Sequence, residues 1–296
     1  MSPHLEPWFE TVIKELSDKL GSSLATKSFT TLSGSSLNST GKVTTNKGVF
    51  FIKWSKGNGS ELYTSEAAGL QQLIDSKTSL QIPTPLCTGH VHSTDYLVTE
   101  FLEFTSPNVD YHEQLGRGLA ELHQCTGDKF GLEINNYCGL TPQCNKWKSD
   151  WAEFYTQNRL TYLFSLIKKK RSTNNISSSK FSKALEKIKS IIHTDDKPRL
   201  IHGDLWSGNA SNTSKGPSIF DPAAYFGHPE AELGMMFLFG GFSQTTLSAY
   251  QEVLPLNPEW RERLDIYKLY HLLNHYFLFG GGYLSEAVSI LKKYYS

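Results

Sequence analysis

One short stretch decides how this chain is interpreted: Ile201-His202-Gly203-Asp204-Leu205-Trp206-Ser207-Gly208-Asn209. It places an acid and an amide five positions apart, and the hydrophobic segment Ser218–Phe220 then leads to a second acid, Asp221. Turns between strands favour Asp and Asn, so an ordinary turn is the simplest interpretation of the first part alone. The second acid, at the end of a strand-like segment, favours a catalytic site instead.

The spacing of Asp204 and Asn209 is that of the protein-kinase catalytic loop. In that loop the Asp accepts the proton of the substrate hydroxyl, the Asn holds a metal ion, and a later Asp, here Asp221, holds Mg²⁺ against the phosphates. Phosphoryl transfer requires little else beyond positioning, metal ions and an oriented hydroxyl group. The sequence therefore predicts a phosphotransferase, provided that a phosphate-binding loop, a lysine and a glutamate lie upstream.

The composition is that of an ordinary globular protein. Its 296 residues suffice for one or two domains with a sizeable core. The 29 basic residues are balanced by 29 acidic ones, so no nucleic-acid or membrane partner is expected. No signal peptide or membrane span is predicted, and we expect a cytoplasmic protein with free thiols. The four cysteines show no metal-ligand spacing: Cys87, Cys125, Cys138 and Cys144.

The N-terminal third is predicted to be β-rich. Apolar residues recur at helical spacing from Trp8 to Leu20. Three strand-like runs follow: Phe29–Leu32, Lys42–Thr45 and Val49–Trp54. A loop of small residues joins the first two runs, as in the kinase lid whose backbone N–H groups bind nucleotide phosphates. An ordinary hairpin is the alternative. The candidate phosphate-binding positions in the loop are Gly34, Ser35, Ser36 and Asn38.

Lys53 lies in the third of these runs, in Phe50-Phe51-Ile52-Lys53, which resembles the kinase strand whose lysine binds the α- and β-phosphates. The alternative is a surface lysine on an edge strand. A predicted helix over Glu61–Ile74 carries Glu66, the expected ion-pair partner of that lysine. Glu61 is the competing partner, and an unpaired, solvated glutamate is the third possibility.

The two lobes of a kinase-like fold are predicted to meet at about residue 103. Tyr96–Leu102 forms a buried strand that leads into this hinge, where backbone groups of Glu100 and Leu102 would hold adenine. We therefore expect an α+β protein with a nucleotide-binding lobe over residues 1–103. A larger helical lobe, with the catalytic loop and substrate site, would cover residues 104–296.

The C-terminal part is predicted to be mostly helical. A loop over Gly127–Lys148 precedes a long amphipathic helix at Trp151–Ile167, and Lys168–Ser179 is expected to be a solvated, mobile connection. Four aromatic residues are expected in the core: Phe239, Phe242, Phe277 and Phe279. Further helices are predicted over the ranges His112–Gln124, Phe181–Ile192, Glu230–Phe239, Gln244–Val253, Glu259–Phe277 and Ser285–Tyr294.

Several stretches together resemble the fructosamine kinase (ketosamine-3-kinase) family, which belongs to the aminoglycoside-phosphotransferase branch of the protein-kinase-like fold. The resemblance covers nearly the whole chain, and Trp206 within the catalytic loop is its most specific mark. The matching stretches are HGDLWSGN, FDPAAYFGHPEAELGMMFLFGGF, SEAAGLQQL around Glu66, NNYCGLTPQCNKWKSDWAEFYTQNRL and NPEWRERLDIYKLYHLLNHYFLFGGGY.

The resemblance implies ATP- and Mg²⁺-dependent phosphorylation of the sugar 3-hydroxyl in ketosamines, on small molecules or glycated proteins. Phosphorylation destabilises the adduct and regenerates the amine, so the family is a deglycation and protein-repair system. Carried over to this chain, Asp204 is the base, Asn209 and Asp221 hold Mg²⁺, and Lys53 with Glu66 anchors the phosphates.

The chain also departs from the family pattern. Its Ser33–Asn38 loop has one glycine where the family usually has two, and Ser36 stands where some members carry a cysteine. Disulfide control through that position should therefore be absent. Glu232 stands where an Asp is usual; in the kinase fold that acid accepts N–H bonds from the catalytic loop, and one extra methylene changes its reach.

Three residues are candidate substrate contacts, each with a structural alternative. Trp206 could stack on a sugar or a lysine stem, or cover the core beneath its loop. His228 and Glu230 follow the metal-binding Asp at a distance that could reach the pocket. Glu230 could pair with the ammonium of the ketosamine, or simply favour a helix N-terminus.

Two other functions remain open at this point. One is a kinase of another small-molecule alcohol, such as an aminoglycoside or choline, against which Trp206 argues. The other is a non-catalytic ATP-binding protein, which is disfavoured because all five kinase residues are present.

Overall fold

A computed structural model describes residues 7–32, 38–57, 59–173 and 176–295. The N-terminal part contains two helices and a five-stranded sheet, and a further strand follows it. These elements are α1 (Pro7–Leu20), β1 (Thr26–Leu32), β2 (Ser39–Thr45), β3 (Val49–Lys56), α2 (Ser60–Asp75), β4 (Pro85–Val91), β5 (Thr94–Glu100) and β6 (Phe104–Thr105).

The sheet is antiparallel with the strand order β1-β2-β3-β5-β4, and each face packs against one helix. Helix α1 packs on the face that carries Ile52 and Val98, whereas α2 packs on the face that carries Leu97. Lys53 pairs with Leu97 across β3 and β5, and side chains of paired residues share a face. The alternation of strand side chains therefore directs Lys53 toward α2.

The C-terminal part is predominantly helical, with short β-strands on either side of the loops of the site. Its elements are α3 (Tyr111–Gln124), β7 (Asn136–Cys138), β8 (Thr141–Gln143), α4 (Trp151–Glu153), a π-helical segment (Phe154–Thr161), α5 (Tyr162–Lys170), α6 (Ser178–Ile191), β9 (Arg199–Ile201), β10 (Ala210–Thr213), β11 (Gly216–Ile219), β12 (Tyr225–Gly227), α7 (Pro229–Phe239), α8 (Gln244–Val253), α9 (Trp260–Phe279) and α10 (Tyr283–Tyr295).

A sheet-rich part followed by a helical part is the predicted kinase-like architecture, and the fold class is confirmed. Strand β5 ends at Glu100, and β6 pairs with β10 of the helical part. The predicted boundary near residue 103 therefore falls between the last strand of the large sheet and the first strand that joins the C-terminal elements. No helix in the described ranges is long and apolar enough to cross a membrane.

Three expectations about the helical part need correction. The Gly127–Lys148 loop contains the β7–β8 hairpin. The helix predicted over Trp151–Ile167 is not simply amphipathic, because its middle turn is π-helical and buries Arg159 completely. Lys168–Ser179 is not merely a solvated connection: Arg171 donates hydrogen bonds to two carbonyls near the end of α9, and Ile176 is buried.

Candidate active site

Lys53, Glu66 and Asp221 form an ion-paired cluster between the sheet and the catalytic segment. The Lys53 ammonium lies 2.8 Å from a Glu66 oxygen and 2.8 Å from an Asp221 oxygen. Burial opposes the charge of Lys53, but the two carboxylates outweigh it and raise its pKa. Glu61, the competing partner, is exposed on α2. The structure thus brings Lys53 together with the predicted glutamate and with the predicted metal ligand.

The Glu232 carboxylate of α7 anchors the backbone of the catalytic loop. One Glu232 oxygen accepts the backbone N–H of His202 at 2.5 Å, and the other accepts that of Gly203 at 3.1 Å. The longer acid therefore reaches the loop that the usual Asp would contact. Gly203 has φ +82°, and a Cβ there would lie 2.3 Å from the Ala223 carbonyl oxygen. Only glycine fits this turn, which positions the following Asp204.

Backbone contacts bring the two predicted metal ligands to one place. The Phe220 N–H donates to the Asn209 carbonyl at 3.1 Å, and His202 Nε2 donates to the Phe220 carbonyl at 2.9 Å. The side-chain amide N–H of Asn209 donates a hydrogen bond to the Asp204 carbonyl. The amide oxygen of Asn209 is therefore the atom left for a cation. Asp221 remains 44% exposed. A carboxylate and an amide oxygen are a donor set that suits Mg²⁺.

Asp204, the predicted proton acceptor, is largely buried in the site. Burial raises its pKa to about 8, although the Cys138 thiol donates a hydrogen bond to it and opposes the increase. The carboxylates of Glu232 and Asp221 add to the increase. His271 Nδ1 of α9 lies 3.9 Å from an Asp204 oxygen. A carboxylate with a pKa near neutral is suited to accept a hydroxyl proton.

The predicted nucleotide contacts are described only in part. Gly34, Ser35 and Ser36 lie outside the described residues. The Asn38 side-chain oxygen accepts a hydrogen bond from the Tyr63 hydroxyl at 3.3 Å.

At the hinge, the Glu100 N–H already donates to the Thr84 carbonyl. The group of Glu100 left for adenine is thus its carbonyl, which also accepts from the Thr99 hydroxyl. Leu102 is half-buried beside it.

Trp206 is part of an exposed aromatic row next to the catalytic loop. Trp206 is 40% exposed, which argues against the alternative that it covers the core. Trp206 packs edge-on against Phe239, and His275 links Phe239 to Phe279. We call these four residues the aromatic row. Phe239 and Phe279 are 42% and 49% exposed, so their predicted core positions are wrong.

His228 and Glu230 have structural partners that explain them without a substrate. Both Glu230 oxygens accept hydrogen bonds from the Arg263 guanidinium, and the Glu230 side chain is 1% exposed. His228 Nε2 lies 3.1 Å from an Asp196 oxygen. A buried carboxylate with both oxygens engaged cannot also pair with a substrate ammonium at no cost. The structure therefore gives both residues structural partners in place of the predicted substrate contacts.

Three polar residues near the base were not predicted from the sequence: Cys138, His271 and Asn274. Asn274 Nδ2 donates to the Cys138 sulfur at 3.2 Å, and Cys138 in turn contacts Asp204. The available signal was weak, since His271 and Asn274 merely interrupt an apolar run in α9. Only the packing of α9 against β7 and the catalytic loop reveals their place.

Comparisons with known proteins agree with this geometry. A probable ketoamine kinase of Synechocystis sp. is 35% identical over 290 residues, with 97% of this chain and 96% of that protein covered. The chloroplastic protein-ribulosamine 3-kinase of Oryza sativa subsp. indica is 39% identical over 268 residues, with 89% and 77% covered.

A crystal structure from Haemophilus somnus, provisionally named fructosamine-3-kinase, superposes with a TM-score of 0.89. It is 23% identical and covers 98% of this chain and 100% of that one. It shows the same fold. The sequence profile of the fructosamine kinase family matches residues 8–296. This chain therefore belongs to the fructosamine kinase family.

Proposed function

We propose that this protein is an ATP-dependent kinase that phosphorylates the 3-hydroxyl group of the sugar in ketosamines. The observation that carries the proposal is the Lys53 ammonium held between Glu66 and Asp221, next to a largely buried Asp204, in a chain of this family. The rice relative's name specifies a ribulosamine 3-kinase. Phosphorylation of the adduct leads to loss of the sugar, so the reaction is a deglycation step that repairs amines.

The nucleotide end of the site depends on three side chains. Lys53 supplies a fixed positive charge for the phosphates, and Glu66 holds it in place from α2. Asp221 and the amide oxygen of Asn209 would hold Mg²⁺. When bound, Mg·ATP supplies the phosphoryl group and a cation that offsets the charge of the phosphates. The carbonyl of Glu100 and the backbone of Leu102 would meet adenine at the hinge.

At the acceptor end, Asp204 orients the sugar hydroxyl and accepts its proton. The Glu232 contacts to His202 and Gly203 fix the backbone immediately before Asp204. Displacement of the catalytic base by about 1 Å can lower the rate by roughly a hundredfold. The rigid loop therefore contributes to catalysis by positioning.

The aromatic row is the surface that we assign to the ketosamine. Exposed aromatic faces bind the apolar CH face of a sugar or the stem of a lysine side chain. Trp206 lies two residues after Asp204, so a sugar on its ring would place hydroxyl groups near the base. Small ketosamines and glycated proteins are both compatible with this open surface. A cytoplasmic location stays a prediction.

The experiment compares Mg·ATP consumption with fructosyl-, ribulosyl- and erythrulosyl-lysine, with NMR to locate the phosphate on the sugar. We expect 3-O-phosphorylation of at least one of them and a loss of about a hundredfold or more in Asp204→Asn. ATP binding and the melting temperature should be retained in that variant. Phosphorylation of an aminoglycoside or choline alone, or normal turnover in Asp204→Asn, would contradict the proposal.

A further inference from the structure

We infer that Cys138, Asp204 and His271 form a binding site for a divalent transition-metal ion, with Zn²⁺ as the fitting chemistry, and that this ion blocks the kinase by occupying its base. The site differs from the Mg²⁺ site in its ligands, because it adds a thiol and an imidazole. Metal binding tests the site without any substrate, and only the test of the block rests on the function proposed above.

The three ligand atoms already lie close together. One potential ligand atom from each residue lies within 4.8 Å of the others, and His271 Nδ1 is 3.9 Å from the Asp204 oxygen. Ligand atoms of a tetrahedral zinc site, each about 2.0–2.3 Å from the ion, are roughly 3.3–3.7 Å apart. Shifts of a few tenths of an ångström to about 1 Å would therefore complete the site.

His271 is the independent observation that points to a ligand. Its side chain is 4% exposed, and among the described residues its Nδ1 has no hydrogen-bond partner. Burial lowers the pKa of His271 to about 3, so the imidazole is neutral and Nδ1 can present a lone pair. Neutral imidazole is the form that binds metal ions. A buried, unpaired nitrogen that faces a carboxylate and a thiol is best explained by a further partner.

The Cys138 sulfur is held in place by a hydrogen bond, although its burial disfavours the free thiolate. Asn274 Nδ2 donates to the sulfur at 3.2 Å, an outer-shell hydrogen bond of the kind that orients metal ligands. Burial raises the pKa of Cys138 well above its usual range, so zinc must displace the thiol proton. Thiolate and carboxylate together neutralise the ion, and the affinity should increase with pH.

The position of the site determines its consequence. Cys138 and His271 are buried, but the Asp204 side chain is 17% exposed. Three protein ligands leave a fourth position for water, as in open zinc sites. A bound ion would use the carboxylate that must accept the hydroxyl proton. The structure thus couples zinc binding to loss of phosphoryl transfer.

The test uses Co²⁺ as a spectroscopic substitute for zinc on the purified full chain. We expect one equivalent to bind with a thiolate-to-cobalt charge-transfer band, which Zn²⁺ then displaces. The oxygen ligands Asn209 and Asp221 cannot give that band. Cys138→Ser should lose it, whereas the matched control Cys144→Ser should keep it. Absence of the band in the wild type, or its persistence in Cys138→Ser, would overturn the inference.

Further variants keep the test decisive if Cys138→Ser does not fold. Asp204→Asn and His271→Gln retain the thiol and should keep the band but bind Co²⁺ at least tenfold more weakly. Asn274→Leu should weaken binding by about ten- to a hundredfold. Unchanged affinity in both Asp204→Asn and His271→Gln would refute the ligand set. A zinc-selective chelator should restore ketosamine phosphorylation in zinc-inhibited wild type; failure to do so would refute the proposed reversible block.

Discussion

Glu232 offers the sharpest test of how this chain holds its catalytic loop. In Glu232→Gln, one of the two oxygens that accept the His202 and Gly203 N–H groups becomes an NH₂ group. With the amide oxygen in the position that accepts from His202, the Gly203 N–H faces the NH₂ group and keeps only its longer, 3.3 Å contact, in a site where Glu232 is 1% exposed. A hydrogen bond to a charged group contributes about 1.5–3 kcal/mol, and an unpaired buried donor costs about 1–3 kcal/mol.

We therefore expect Glu232→Gln to lower the free energy of unfolding by about 2–3 kcal/mol. For a domain near this size, each kcal/mol shifts the melting temperature by about 2–4 °C, so a decrease of roughly 5–10 °C should be measured by calorimetry. Because the altered backbone directly precedes Asp204, kcat should also decrease, by roughly a hundredfold if the base moves by about 1 Å. Glu232→Asp, which keeps the acceptor, should retain most of the activity.

Glu230→Gln is the matched control on the same helix. Glu230 is equally buried, but its carboxylate pairs with Arg263 rather than with the catalytic loop. This variant should be destabilised to a comparable extent, yet keep kcat within about twofold of the wild type. If the two variants show the same loss of stability and both keep kcat, Glu232 does not position the base, and our reasoning is refuted.

Three further predictions concern the ion pair, the aromatic row and the base. Lys53→Met and Glu66→Gln should be strongly non-additive in kcat/KM, by more than about 1 kcal/mol, because each side chain holds the other; simple additivity in the double-mutant cycle would argue against the pairing. Trp206→Leu should raise the KM for the ketosamine by the equivalent of about 1–2 kcal/mol with little change in melting temperature, and a normal KM would remove Trp206 from the substrate site. Since Asp204 acts when ionised and burial raises its pKa to about 8, kcat/KM should increase with pH up to and beyond pH 8. The midpoint of that profile should move to higher pH in Cys138→Ala, which loses the hydrogen bond that favours the ionised form; a flat profile would contradict Asp204 as the base.

Local sequence determined the parts of the site that depend on near neighbours. The five-residue spacing of Asp204 and Asn209 lies within one loop, and strand alternation together with a following helix predicted Lys53 and Glu66. Helix and strand periodicity reflects burial of one side of each element, so most helices and the strands β1, β2, β3 and β5 were found close to their observed bounds, whereas the short strands of the helical part were mostly missed. Resemblance to a family then supplied the expected reaction and the roles of the site residues.

Tertiary structure alone decided which side chains meet across large separations in the chain. Glu66 rather than Glu61 pairs with Lys53, because the packing of α2 on the sheet turns Glu66 toward β3 and leaves Glu61 exposed. Glu230 pairs with Arg263, which no local pattern indicates.

Similarly, Cys138 and His271 reach Asp204 only because β7 and α9 pack beside the catalytic loop. The exposure of Phe239 and Phe279 could not be predicted either, because apolar residues are usually expected in the core. The physical reason is common to all these cases: burial, charge pairing and metal-ligand geometry depend on distances between residues that are remote in sequence, and those distances exist only once the elements have packed.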